Sequence, residues 1–148
     1  MDKTVSSSLV SPSSTKDTVR RIARYGSLVL STLFALSVLL QVFLAGGGIF
    51  GSPSWWSMHE VFGMGMSLLP LAFLLVAWPG QLGRRSLWLG GLAFVLVVLQ
   101  IFLITLPGSL GLPMLSALHV VNALVIFGLA LRLTQRAWQG VRSERRAA

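Results

Sequence analysis

Four long apolar stretches, each close to the length that crosses a membrane, constrain this chain more than any other feature. They cover residues 27–46, 55–78, 86–106 and 114–137. A transmembrane α-helix needs about 20 mostly apolar residues to cross the roughly 30 Å hydrocarbon core of a bilayer. Over the whole chain 54% of the 148 residues are hydrophobic and only 11% are charged. The sequence therefore predicts an integral membrane protein with four transmembrane helices.

The segments between these stretches are short and contain Gly and Pro, which end helices and form turns. They read GGGIFGSPS, PGQLGRR and PGSLGLP. Short connections place consecutive helices side by side and antiparallel. The predicted fold is an all-α membrane protein, a four-transmembrane-helix up-down bundle.

Polar segments flank the predicted bundle on both sides. Residues 1–19 are rich in Ser and Thr and show no apolar periodicity, so we expect a disordered cytoplasmic tail. Residues 20–138 form the predicted transmembrane domain, and residues 139–148 form a basic cytoplasmic tail.

The net charge of +8 is concentrated at one predicted side of the membrane. Two of the three connections contain no Lys or Arg; the basic residues lie before the first span, in the middle connection and near the C-terminal end: Lys3, Lys16, Arg20, Arg21, Arg24, Arg84, Arg85, Arg132, Arg136, Arg142, Arg145 and Arg146. Basic residues are retained on the cytoplasmic side. We therefore expect a multi-pass protein of the bacterial plasma membrane with both termini cytoplasmic. Since the charges flank apolar runs, we expect no nucleic-acid partner.

The two halves of the transmembrane region resemble each other. Aligning the chain with itself places Gln41 on Gln100 and, after one inserted residue in the second outer connection, His59 on His119. Ser27, Phe43, Pro53 and Trp78 fall on Ser86, Phe102, Pro113 and Trp138. Because Gln, His, Pro and Trp are scarce here, we interpret the bundle as two tandem helical-hairpin repeats. Two-span repeats are related by a pseudo-twofold axis along the membrane normal.

The chain has two histidines, His59 and His119, and they occupy equivalent repeat positions near the outer ends of spans two and four. Residues that face the axis from equivalent positions approach one object from opposite sides. One haem iron with two axial positions is such an object, so we predict one haem b with His59 and His119 as its metal ligands. The absence of cysteine excludes covalent haem attachment, iron–sulfur clusters and thiolate metal sites.

Neighbouring residues fit a flat cofactor. Gly63 and Ala123 lie four residues after the histidines, on the same helix face, and their small side chains leave room for a porphyrin. Gln41 and Gln100 lie at a similar predicted depth and are candidates to orient an imidazole or to bond a haem propionate.

Each of these patterns has a purely structural alternative. Histidine and glutamine in membrane spans also join helices by hydrogen bonds, and small residues also allow close helix packing. Glu60 is the only acidic residue within a predicted span. It is either a solvated group at the outer interface or part of a path for protons or substrate beside the cofactor.

With its repeat and its histidines, the chain resembles a family of small four-span bacterial membrane proteins of unknown function that carry a His at the start of spans two and four. This resemblance covers about residues 20–138. A looser resemblance, carried by His59, His119 and their helix faces, links it to the four-helix b-type haem bundles of membrane cytochromes b and of one half of haem A synthase. It implies one b-type haem near the outer leaflet and electron transfer.

Two functions are therefore expected from the sequence. The first is a b-type cytochrome-like electron carrier, whose partners are the lipid bilayer and other membrane redox subunits or a quinone. The second is a non-catalytic membrane scaffold or accessory subunit without a cofactor. The sequence shows neither a catalytic nucleophile nor an evident quinone site, so it assigns no enzymatic activity.

Overall fold

A computed structural model describes residues 15–147 of the chain, and within this part every regular element is helical. The α-helices are α1 (Thr15–Phe50), α2 (Ser54–Met66), α3 (Leu69–Ala77), α4 (Arg84–Ser109) and α5 (Leu118–Ala147), and a 3-10 turn (Pro113–Ala117) precedes α5.

Within the described residues, the prediction of four helices long and apolar enough to cross a membrane is confirmed. Four helical segments are long and apolar enough to cross a membrane: Thr15–Phe50, Ser54–Ala77, Arg84–Ser109 and Pro113–Arg146. The second consists of α2 and α3 in succession. With 36 residues, α1 is about 54 Å long at 1.5 Å per residue, which exceeds the hydrocarbon thickness. The first and fourth helices therefore extend past any bilayer that they cross.

The polar flanks differ in part from the predicted tails. Residues 1–14 of the predicted N-terminal tail lie outside the described residues, whereas residues 15–19 already belong to α1. Asp17 lies in the first turn of α1, where the helix dipole favours a negative charge, and it pairs with Arg20 at 3.1 Å. At the other end, α5 continues through the basic segment as far as Ala147.

The helices form an up-down bundle, as predicted. α1 packs against α2, α3 and α5, and α4 packs against α3 and α5. Two ends can be distinguished by composition. The basic end holds the N-terminus of α1, the connection from α3 to α4 and the C-terminus of α5, whereas the histidine end holds the other two connections.

The tightly packed core lies towards the basic end. Phe34, Phe73 and Leu133 are fully buried there. Small residues let the helix backbones approach one another around them: Ser27, Ser31, Ala77, Ser86, Gly90, Ala93, Ala130 and Ala137. A Cβ at Gly90 would lie 2.9 Å from Leu74 Cδ2 and 3.1 Å from Phe73 Cδ1, so glycine lets α4 pack closely against α3. By contrast, no residue of α2 is buried.

Polar contacts close the basic end. The guanidinium of Arg24 donates to the backbone oxygens of Gly80, at 3.0 Å, and Gly140, at 3.3 Å. It also lies 3.9 Å from a carboxylate oxygen of Glu144. One side chain of α1 thus joins the α3–α4 connection to the C-terminal part of α5.

The second span is interrupted between α2 and α3. Pro70 has no N–H to donate to the carbonyl of Met66, and its ring disfavours a continuous helix at this position. The α-helical bonding ends with Ser67 N to Gly63 O at 3.2 Å, and the next bond, from Leu68 N to Gly65 O at 3.4 Å, is the tighter 3-10 type. The residues of α2 therefore form a short helix separate from α3.

Candidate functional site

The two histidines meet inside the histidine end of the bundle. His59 lies on α2 and His119 in the first turn of α5, and their imidazole centroids are 6.3 Å apart with ring planes inclined by 52°. Both residues are half-buried. α2 packs mainly against α1, and α5 packs mainly against α1 and α4, so the two histidines come from helices that are not main packing neighbours.

Both imidazoles are held by the same type of hydrogen bond. Nδ1 of His59 lies 3.0 Å from the backbone oxygen of Gln41, and Nδ1 of His119 lies 3.2 Å from the backbone oxygen of Gln100. A backbone carbonyl can only accept, so each Nδ1 must carry the proton and donate it. In the neutral imidazole, Nε2 then keeps its lone pair and is free to bind a metal ion or accept a hydrogen bond.

The hydrogen bond at Nδ1 is one that metal-binding histidines also make. A histidine ligand usually donates its second ring N–H to a carboxylate or backbone carbonyl, which fixes the tautomer and the ring orientation. Two imidazoles on opposite sides of one ion, with metal–nitrogen bonds of about 2 Å, would have centroids roughly 6 Å apart. The observed spacing of 6.3 Å is compatible with a shared ion between the two rings.

The side chain of Gln100 links α4 to α5 at this site. Its Nε2 donates to the backbone oxygen of His119 at 2.8 Å, and its Oε1 accepts a hydrogen bond from Asn122 Nδ2 at 2.5 Å. Asn122 also donates to the backbone oxygen of Leu96 at 2.8 Å. The sequence analysis names Gln100 for its side chain, but the contact with the imidazole comes from its backbone oxygen.

Asn122 belongs to the site, although the sequence analysis does not select it. It is buried, with 8% of its surface exposed, and both hydrogens of its amide group are used. The sequence alone could have pointed to Asn122, because it is the single asparagine of the chain and lies within an apolar span. Polar residues within membrane spans commonly face the bundle interior and its functional groups.

The side chain of Gln41, which the sequence alignment pairs with Gln100, has different contacts. Its carboxamide nitrogen lies against Gly63, in the space that a Cβ at residue 63 would fill. Its Oε1 is buried and has no hydrogen-bond partner among the described residues. A porphyrin lying flat on Gly63 would therefore require the side chain of Gln41 to rotate away.

The remaining candidate residues have simpler surroundings. Ala123 is half-buried, one turn after His119. Glu60 is exposed on α2. The Trp56 ring meets His59 edge-on, with centroids 6.0 Å apart. Within residues 15–147, no three His, Cys, Asp or Glu side chains come close enough together to hold a metal ion.

Tryptophan–glycine contacts hold α2 against α1 above the histidines. A Cβ at Gly47 would come within 2.6 Å of the Trp55 ring, and a Cβ at Gly48 would come within 2.5 Å of the Trp56 ring. The glycines before the first turn are therefore needed for the close approach of two indole rings, which set the position of α2 and of His59.

A comparison with protein families gives one match. Residues 41–106 match a family of unknown function, DUF6220. The matched part is less than half of the chain; it includes Gln41, His59 and Gln100 and ends before His119. No curated protein and no solved structure matches the chain. The comparisons therefore support the similarity to a family of unknown function and give no support to the resemblance to b-type haem bundles.

Proposed function

We propose that this protein is a membrane b-type cytochrome-like electron carrier that binds one haem b between His59 and His119. The observation that carries the proposal is the pair of imidazoles 6.3 Å apart, each with Nδ1 bonded to a backbone carbonyl and Nε2 left for a metal. The packing of the bundle supports it further, since the core is tight at the basic end and α2 buries no residue at the histidine end.

The residues of the chain would perform three tasks at such a site. His59 and His119 bind the iron through Nε2, and the carbonyls of Gln41 and Gln100 orient the two rings. Ala123 leaves space for the macrocycle beside His119, and Gln41, once rotated from Gly63, can bond a propionate. Haem supplies reversible one-electron chemistry when bound. Because both residues that would hold the iron are histidines, the bound group would favour electron transfer.

The proposed membrane topology follows from charge. The basic end of the bundle faces the cytoplasm and the histidine end faces outwards, by the positive-inside rule. The electron partners would then be other membrane redox subunits or a quinone that reach the outer half of the bilayer. The two hairpins would be tandem repeats, an interpretation supported by their matching histidine–carbonyl hydrogen bonds.

The absorbance spectrum of the protein tests the proposed function. Protein purified in detergent and supplied with haemin should show the Soret and α bands of a low-spin six-coordinate haem, with one haem per polypeptide. The double variant His59→Ala/His119→Ala should lose these bands while retaining its helicity and its elution volume. A wild-type protein without a bound haem, or a double variant with the wild-type spectrum, would refute the proposal.

A second function is favoured by the same hydrogen bonds. The bonds from His59 to α1 and from His119 to α4 join neighbouring helices whether or not a metal is present. In this alternative the protein is a scaffold or accessory subunit without a cofactor. It predicts a colourless purified protein whose thermal stability falls when either histidine is replaced.

A further inference from the structure

We infer that the two histidines are unequal ligands: His119 is the fixed one, His59 is the exchangeable one, and Asn122 is the positioning residue that makes the difference. This inference rests on the proposed function, because it concerns the ligands of the proposed haem.

Around His119, two hydrogen bonds run in opposite directions between the same two residues. The imidazole of His119 donates to the backbone oxygen of Gln100 at 3.2 Å, and the carboxamide of Gln100 donates to the backbone oxygen of His119 at 2.8 Å. Asn122 completes the network by donating to Oε1 of Gln100 and to the backbone of Leu96. Hydrogen bonds to both the ring and the backbone of His119 restrict the movement of each.

Around His59, this network is missing. The imidazole donates to the backbone oxygen of Gln41 at 3.0 Å, but Oε1 of Gln41 is buried without a partner among the described residues. In the alignment that pairs His59 with His119, Phe62 falls on Asn122 and has no amide group to offer. One hydrogen bond therefore orients His59, and its backbone receives none from the side chain of Gln41.

The helix that carries His119 is also more firmly packed than the helix that carries His59. His119 lies in the first turn of a continuous helix of 30 residues whose Ala130, Leu133 and Ala137 are fully buried in the core. His59 lies on a 13-residue helix without a buried residue, separated from α3 by the break before Pro70. The His59 ring has two aromatic neighbours, Trp56 and His119. α2 is held on α1 by the contacts of Trp55 with Gly47 and of Trp56 with Gly48. Displacing His59 thus disturbs less packed structure than displacing His119.

The difference between the two histidines has a chemical consequence. Where His59 moves aside and His119 stays in place, the space vacated by the His59 ring would be open to a small neutral ligand that donates a nitrogen lone pair, such as imidazole. This gives the site a ligand-binding position that a symmetric pair of histidines would not provide.

Single variants separate the two histidines. We expect His59→Ala to retain haem in a five-coordinate high-spin form, and added imidazole to restore the six-coordinate spectrum. We expect His119→Ala to bind haem at least about 10-fold more weakly than His59→Ala. Equal losses in the two variants, or the greater loss in His59→Ala, would overturn the inference. A wild-type protein that takes up no haemin would instead refute the proposed function.

Asn122 and Phe62 provide a matched pair of variants that leaves His119, the ligand in question, in place. In the His59→Ala background, Asn122→Leu should weaken haem binding about 10-fold, as is typical when a residue that orients a metal ligand is lost. Phe62→Leu in the same background should leave the haem affinity unchanged. Helicity and elution volume establish that each variant is folded. Equal haem affinity in the Asn122 and Phe62 variants would show that Asn122 does not position His119.

Discussion

Gln100 and His119 exchange hydrogen bonds: the Gln100 side chain donates to the backbone of His119 at 2.8 Å, and the His119 ring donates to the backbone of Gln100 at 3.2 Å. Gln41 and His59 share only the second of these bonds, at 3.0 Å. Two residue pairs that the predicted repeat would make equivalent therefore contribute differently to the bundle.

This difference predicts unequal effects of replacing the two glutamines. Gln100→Leu removes the acceptor of Asn122 and the side-chain bond to α5, so the free energy of unfolding should fall by about 1–2 kcal/mol. Gln41→Leu removes a buried oxygen that has no described partner, so it should leave the stability unchanged or slightly higher. Thermal unfolding in detergent, followed by circular dichroism, measures both. Equal decreases in Tm for the two variants would show that the side chain of Gln100 contributes no more stability than that of Gln41.

Ala123 offers a steric test of the proposed haem. It lies one helical turn after His119, on the same face of α5, so Ala123→Leu should fill the space that a macrocycle needs and lower the haem per polypeptide. Val120→Leu, at a position that is 63% exposed, is the matched control and should leave the haem content unchanged. An unchanged ratio in Ala123→Leu would show that no macrocycle contacts this residue. The equivalent change at Gly63 discriminates less well, because any side chain there collides with Gln41.

The hydrogen bonds of Arg24 should stabilise the basic end of the bundle independently of any cofactor. Arg24→Leu leaves the backbone oxygens of Gly80 and Gly140 without this donor and removes the cation nearest to Glu144, so the free energy of unfolding should fall by about 1–3 kcal/mol. Arg21→Leu, at an exposed position on the same helix, is the control and should have little effect. The comparison is made by thermal unfolding of both variants in the same detergent. A similar Tm for the two variants would show that the Arg24 contacts contribute no stability.

The proposed topology makes a prediction about accessibility. Alkaline phosphatase fused after Arg146 should be inactive in bacterial cells, because the basic end remains in the cytoplasm where its disulfides do not form. A tag inserted at Ser52, in the connection between α1 and α2, should be reached by an antibody from the outer side. An active fusion together with an inaccessible tag would reverse the orientation.

The sequence by itself determined the class and the order of the bundle. Spans of about 20 apolar residues must cross a bilayer as helices, because the hydrocarbon offers no partner for unpaired backbone groups, and the Gly and Pro turns between them make neighbours antiparallel. It also determined which scarce polar residues to examine, since polarity within apolar spans is costly. His59, His119, Gln41 and Gln100 all lie at one place in the structure.

The tertiary structure decided which atoms of these residues meet. A repeat in the sequence predicts equivalent positions, but it cannot distinguish a side-chain amide from a backbone carbonyl as the partner of a histidine ring, because that choice depends on helix rotation and height at the level of an ångström. The same packing placed the carboxamide of Gln41 against Gly63 and brought Asn122 to Gln100. The inequality of the two halves arises from these contacts between helices, and hydropathy and spacing along one chain do not determine them.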